Sequence, residues 1–172
     1  KVAQKHDIKV VEDNSDEAFE QYLKLMEETT KRQSFYAHTE KYHRLMWETL
    51  RQAHCKPFDP NKLRAHLLKA IYNKKTLVTW ILFTFKDTLY YPYGASSDEN
   101  REVMASHLIA WEAIKFGKEL GLKKFDMWGA ANTPNPKPSD PYFGFHRFKE
   151  GFGTTLTEFV GSYDLVINPL NY

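Results

Sequence analysis

The sequence predicts a mixed α/β domain in which helices cover a single sheet. Three observations point there. Apolar residues recur at helical spacing up to about residue 54 and again after residue 96, but with a period near two from Leu63 to Ala95. The stretches that divide this middle region, Asn73-Lys74-Lys75 and Lys86-Asp87, are polar and of hairpin length. Finally, 172 residues with 42% hydrophobic and 27% charged side chains, and only 8 Gly and 8 Pro, exclude disordered, collagenous and low-complexity classes.

Ile8 to Glu12 is short and β-branched and runs into the turn-prone Asp13-Asn14-Ser15, which predicts a first strand. Asn14 and Glu17 have capping-box spacing, and Phe19, Tyr22, Leu23 and Met26 then mark the apolar face of a helix to about Gln33. Thr39 is placed to cap a second helix, with Tyr42, Leu45, Met46 and Leu50 as its apolar face and an end near His54. Pro57 and Pro60 break it. Arg64 to Tyr72, Thr76 to Phe85 and Thr88 to Gly94 follow as an antiparallel meander. A helix of about twenty residues then carries Met104, His107, Leu108, Trp111 and Ile114 on one stripe and stops at Gly121. Lys124 to Trp128 reads as a strand, and Gly129 to Asp140 as a loop that its three prolines keep out of any ladder. Asp140 and Pro141 open a last helix that ends near Gly151, and Leu156 to Val160 and Tyr163 to Ile167 read as two final strands.

The charge balance is mild. Twenty-four Lys plus Arg against 22 Asp plus Glu leave +2, so any polyanion site must be local. No apolar run reaches the roughly 18 residues of a spanning helix, and the N-terminal residues lack an apolar signal core. The one cysteine, Cys55, forms no internal disulfide and fits a reducing compartment. The expected location is cytoplasmic, with peripheral attachment at the inner membrane face left open. A charged start without an initiator Met suggests a single domain, residues 1–172, that is the C-terminal part of a longer protein.

The element order β-α-α-β-β-β-α-β-α-β-β resembles the fold of the GCN5-related N-acyltransferases (GNAT), in which an acyl donor enters a gap after the fourth strand. Members that use CoA carry a glycine-rich turn there, whose N–H groups hold a diphosphate at a helix N-terminus. Here Gly94-Ala95-Ser96-Ser97-Asp98-Glu99-Asn100 holds one glycine and two acids, which speaks against CoA. The seven His residues show no metal-binding motif, so no metal is expected. His107 reads as a core histidine, and Cys55 beside His54 as an ordinary thiol.

The C-terminal half carries a more specific signal. Tyr91-Pro92-Tyr93-Gly94-Ala95-Ser96, Trp111-Glu112-Ala113-Ile114, Phe125-Asp126-Met127-Trp128-Gly129, Phe148-Lys149-Glu150-Gly151-Phe152-Gly153 and Gly161-Ser162-Tyr163-Asp164 occur in order, and Met26 to Arg32 adds an N-terminal segment. Together they resemble the FemABX family of peptidoglycan bridge-forming aminoacyltransferases, which have two GNAT-like subdomains. This chain is similar to the second. The resemblance implies transfer of an amino acid from aminoacyl-tRNA to the stem-peptide amine of a lipid-linked or UDP-linked peptidoglycan precursor, with no cofactor. It also implies an N-terminal subdomain as partner.

The resemblance further assigns roles. Lys149 matches the family's lysine at the donor end of the tRNA, thought to stabilise the oxyanion, and Phe148 would contact the terminal nucleotide. Tyr91 and Tyr93, two apart on a strand and therefore expected on one face, match tyrosines of the precursor site. Tyr42 and the residue four before it match a Tyr and Arg pair that reaches the precursor's diphosphate. That second position is His38, and a neutral His does not reproduce an Arg fork. Asp126 either orients the amine or bonds backbone, the second being preferred. Position alone also allows Lys149 to complement a helix dipole and the tyrosines to pack as ordinary aromatics. A non-catalytic precursor- or RNA-binding module is therefore the second reading, and a CoA-dependent N-acyltransferase the third.

Overall fold

The computed structural model describes residues 2–33, 37–51, 59–131, 133, 135–140, 142–163 and 165. It divides into two compact units, Lys1–Trp128 and Gly129–Tyr172. The first contains α1 (Val2–Lys5), β1 (Lys9–Glu12), α2 (Asp16–Gln33), α3 (Glu40–Leu50), β2 (Arg64–Tyr72), β3 (Lys75–Phe85), β4 (Thr88–Ser96), α4 (Ala105–Glu119) and β5 (Lys124–Asp126). The second contains α5 (Phe143–Glu150).

The sheet order is β1-β2-β3-β4-β5. β2, β3 and β4 form the three-stranded antiparallel meander that their alternation and hairpin separators predict, and β1 adds to it antiparallel to β2. β5 runs parallel to β4 but pairs only from Thr88↔Lys124 to Tyr90↔Asp126. β4 continues to Ser96 beyond that point.

Alternation sends Ala65, Leu67, Ile81 and Ala95 to one face, where Ala18, Phe19, Tyr22, Leu25 and Met26 of α2 and Met46 and Trp47 of α3 complete the core. On the other face His66 meets Phe116 of α4 edge-on, and Leu89 packs at Gly117. A Cβ at Gly117 would lie 3.1 Å from Leu89 Cδ2, so the helix approaches β4 closely because it has no side chain there.

Several local expectations shift. Ser15, not Asn14, caps α2: its Oγ accepts from Ala18 N at 3.2 Å. The Asn14 side chain instead accepts from Leu67 N at 2.8 Å and donates to Glu12, linking the turn to β2. Thr39 does cap α3, accepting from Tyr42 N, but the helix ends at Leu50; residues 52–58, with His54, Cys55 and Pro57, lie outside the described residues.

The stripe on α4 is displaced. Ala105, Leu108, Ile109, Ala110, Ala113 and Gly117 are its buried residues, whereas Trp111 is half-exposed and Met104, in the left-handed region, sits before the first turn. Small residues win the sheet side because they let the helix come close. His107 is therefore not a core residue but exposed.

In the second unit Asp140 accepts from Lys137 N and closes the preceding turn, so α5 starts later, at Phe143, after Tyr142 with φ 70°. Pro141 lies outside the described residues. Leu156 to Val160 is not a strand: it is exposed and pairs with nothing among the described residues, so its β-branched composition has no ladder to join. Of the segment 163–167, only Tyr163 and Leu165 are described, and neither is in a strand.

The turn after β1 is tied to β2 by a charged pair. Lys69 Nζ lies 2.5 Å from Asp13 Oδ2, and this bond, with a second from Ser15, holds the Asp13 carboxyl down to about 2. The unfolded chain then binds more protons in the acid range, so the stabilisation is complete above the ordinary value of 3.8 and is lost as pH falls through about 2. Asp13→Asn should lower stability at pH 7 by about 1 kcal/mol, since solvent screens a partly exposed pair, and flatten the acid limb of a denaturation series. An unchanged acid limb would assign it to other carboxylates.

Candidate functional site

On the α2–α3 side of the sheet, three of the sequence-predicted residues come together. α3 carries Tyr42 one turn after His38, and their rings stack with centroids 4.1 Å apart. Tyr93 reaches them from β4: its hydroxyl lies 3.1 Å from that of Tyr42, and its ring is edge-on to His38 at 6.3 Å. Burial, then the bond to Tyr42, pushes the Tyr93 phenol above its ordinary value, so it is a neutral donor at physiological pH. Tyr42 and His38 are exposed. The result is an open patch of hydroxyls on aromatic rings, suited to peptide or phosphate oxygens.

Tyr91 does not join it. β4 carries one extra residue between the pairs Phe83↔Tyr90 and Ile81↔Tyr93, and Pro92, which has no N–H for the ladder, lies within this bulge. The extra residue turns Tyr91 to the opposite face, where its ring stacks on Trp80 at 3.6 Å and 19°. Burial raises its phenol as well. The expectation that Tyr91 and Tyr93 share a face is thus overturned by a bulge that alternation alone does not reveal.

Gly94 is part of the same arrangement. A Cβ there would fall 1.9 Å from the Tyr91 hydroxyl, and Trp80 blocks the ring on its other side. Gly94→Ala should therefore expel the Tyr91 ring from its stack and cost about 1 to 3 kcal/mol. Chemical denaturation and the Trp80 emission report both effects; a change below about 0.5 kcal/mol would show that the ring moves aside freely.

The remaining predicted residues have local partners. Asp126 Oδ1 accepts from Trp128 N at 2.7 Å, fixing the exit from β5. In the second unit, Lys149 occupies the last turn of α5, donates to Gly129 O at 2.6 Å and lies 3.6 Å from the centroid of Phe145. Phe148, on the same helix, packs edge-on against Phe152 at 5.3 Å.

The sequence reading missed Tyr22 and His43 as neighbours of this patch. His43 is buried and its Nδ1 lies 3.1 Å from the Tyr22 hydroxyl. The signal was present: His43, Met46, Trp47 and Leu50 have helical spacing and form the packed face of α3, while Leu45, assigned to that face, is 63% exposed.

The resemblance of the sequence would put a CoA diphosphate at the turn after β4, but the residues there do not fit one. Asp98 lies 3.5 Å from both Arg32 and Arg101, and Glu99 lies 2.6 Å from Lys75. Three of the turn's N–H groups are already used: Ser97 N donates to Leu77 O, Glu99 N to Ser97 Oγ, and Val103 N to Asn100 O. Arg32 and Thr29 also donate to Ser96 O. No group of three or more His, Cys, Asp or Glu that could hold a metal ion occurs among the described residues.

The meander, the parallel fifth strand and the helices on both faces define a GNAT-type fold. Solved structures agree: FemX superposes with a TM-score of 0.74 at 17% identity, over 90% of this chain and 52% of that one. An aminoglycoside 6'-N-acetyltransferase from Acinetobacter baumannii gives 0.62 at 12%, over 94% of this chain and 99% of that one. The sequence model of the FemAB family matches residues 58–172, and the chain belongs to that family. The lipid II:glycine glycyltransferase of Staphylococcus haemolyticus is 39% identical over 79 residues, 46% of this chain and 18% of that protein. The chain therefore corresponds to less than a fifth of that relative and about half of FemX. Among the described residues no helix is long and apolar enough to cross a membrane.

Proposed function

We propose that this chain is the acyl-transfer unit of a FemAB-family aminoacyltransferase, moving an amino acid from aminoacyl-tRNA to the stem-peptide amine of a peptidoglycan precursor. One observation carries the choice of donor: in a chain of this family, the turn after β4 carries acids, paired with Arg32, Arg101 and Lys75, where a CoA diphosphate would lie, and three of its N–H groups are already bonded. An ester carried by RNA needs no such cradle.

In this reading the neutral amine attacks the ester carbonyl and its nitrogen gives up a proton as the bond forms, the equivalent of the one that the leaving oxygen takes up. A C–N bond forms, the tetrahedral oxyanion collapses, the C–O bond to the ribose breaks, and the ribose oxygen takes up a proton. Holding the partners in line supplies much of the acceleration, and a cation at the oxyanion supplies most of the rest. Lys149 is that cation. Its ammonium on the Phe145 ring and Gly129 O is held in place before the reaction, so little reorganisation accompanies charge development. Phe148 stacks on the terminal base. Tyr42, Tyr93 and His38 receive the acceptor, with the phenols donating to its peptide carbonyls, while Tyr91 supports β4 from the opposite face.

The name of the staphylococcal relative favours a lipid-linked acceptor and glycine as the residue moved. Work at the inner face of the membrane by a cytoplasmic protein follows from that acceptor. A second, N-terminal subdomain is the proposed partner, and the match to only 52% of the FemX chain supports it.

The test is an aminoacyl-transfer assay with charged tRNA pools and lipid-linked or UDP-linked stem peptides, on this chain and on the full-length protein. Transfer by the full-length protein supports the reading. Acceptor binding without transfer would favour a binding module, and transfer from acetyl-CoA would overturn the choice of donor.

A further inference from the structure

One imidazole lies at the centre of the acceptor patch, with four rings around it. His43 is 2% exposed. Its ring centroid lies 5.0 Å from Tyr93, 5.6 Å from Tyr22, 5.7 Å from Tyr42 and 6.2 Å from His38, edge-to-face in every case. All three side chains assigned to the acceptor therefore share this one neighbour. Nδ1 is bonded to the Tyr22 hydroxyl on α2, while Nε2 is buried without a hydrogen-bond partner among the described residues.

Filling space does not explain this choice. A buried ring nitrogen without a partner is costly, and Phe would pack the same volume without that cost. Phe would, however, leave the Tyr22 hydroxyl unbonded in the core and give up the tie to α2. The imidazole joins three elements at one point: α2 through Tyr22, α3 through its own backbone and Tyr42, and β4 through Tyr93. Edge-to-face contacts set ring orientation, and the 3.1 Å approach of the Tyr42 and Tyr93 hydroxyls depends on the orientation of both rings.

We infer that His43 is a positioning residue for the acceptor site, holding Tyr42, Tyr93 and His38 in the arrangement that receives the stem peptide. The inference rests on the acceptor role proposed above for those side chains. Burial, and then the proximity of His38, keep the imidazole pKa below its ordinary value, so it is neutral at physiological pH. Among the described residues the groups that face it are Tyr22 from α2, His38 from the segment before α3, Tyr42 from its own helix and Tyr93 from β4, none of them an acid. Acidification places an uncompensated cation among these rings and disturbs all of them.

The experiment compares His43→Phe and Tyr22→Phe with the wild type in the full-length protein. Acceptor and donor KM, kcat, thermal unfolding and the aromatic NMR signals of Tyr42 and Tyr93 are measured across pH. His43→Phe should raise acceptor KM about tenfold with kcat and donor KM nearly unchanged, the size of one lost buried hydrogen bond. Wild-type acceptor KM should rise at acid pH and that of His43→Phe stay flat. Tyr22→Phe, which leaves the imidazole in place, should give a smaller rise in the same direction and serves as the test if His43→Phe does not fold. An unchanged acceptor KM, or equal losses in every parameter that track the unfolded fraction, would overturn the inference. If no donor supports transfer, the proposed function fails first, and His43 is judged on the NMR signals alone. Altered Tyr42 and Tyr93 signals then support positioning, and unaltered ones reject it.

Discussion

Lys149→Ala in the full-length protein should lower transfer turnover about a hundredfold with folding intact, the size expected when one oxyanion-stabilising group is removed. The ammonium is held by Gly129 O at 2.6 Å and by the Phe145 face at 3.6 Å, both contacts within its own unit. Such a cation is poorly screened by water, so its interaction with a developing oxyanion is stronger than that of a surface lysine. The structural contribution of the same side chain lies in its stem, so Lys149→Met, which keeps the stem and removes the charge, separates the roles. Both variants should lose turnover alike, measured as kcat beside circular dichroism and unfolding. Turnover in Lys149→Met within about threefold of wild type would move the oxyanion role to another group.

Trp47→Ala should destabilise the protein by about 3 to 5 kcal/mol, the largest effect expected of a core truncation here. Trp47 is 1% exposed and stacks on Phe19 of α2 with centroids 5.2 Å apart and an interplanar angle of 1°. This contact joins α3 to α2, and α3 carries Tyr42 and His43, so the loss should also weaken acceptor binding. Trp47→Phe keeps a ring and deletes an indole N–H that has no partner among the described residues, and should cost about half as much or less. Chemical denaturation of both variants tests this. A loss below about 1 kcal/mol for Trp47→Ala would mean that α3 is anchored elsewhere, with Met46 and Leu50 as the next candidates.

The sequence by itself determined the features that depend on near neighbours in the chain. The three central strands and their hairpins follow from a period of two between polar separators. The Thr39 cap follows from a hydroxyl placed just before a run of helical spacing. The ordered runs from Tyr91 to Asp164 carried the family, because motif order and spacing survive where fold similarity leaves few identical residues.

Only the tertiary structure decided which way particular side chains turn and which segments find partners. Tyr91 and Tyr93 part company because β4 accommodates an extra residue against β3, a property of the pair of strands. The buried faces of α3 and α4 lie about one residue from where hydrophobicity alone sets them. A buried bond to Tyr22 admits His43 to the core, and the closeness of the sheet selects Ala and Gly over Trp111. Leu156 to Val160 has strand composition but no strand beside it among the described residues. Helical turns and hairpins satisfy their hydrogen bonds within a few residues, whereas bulges, helix facing and strand recruitment depend on groups that only folding brings close.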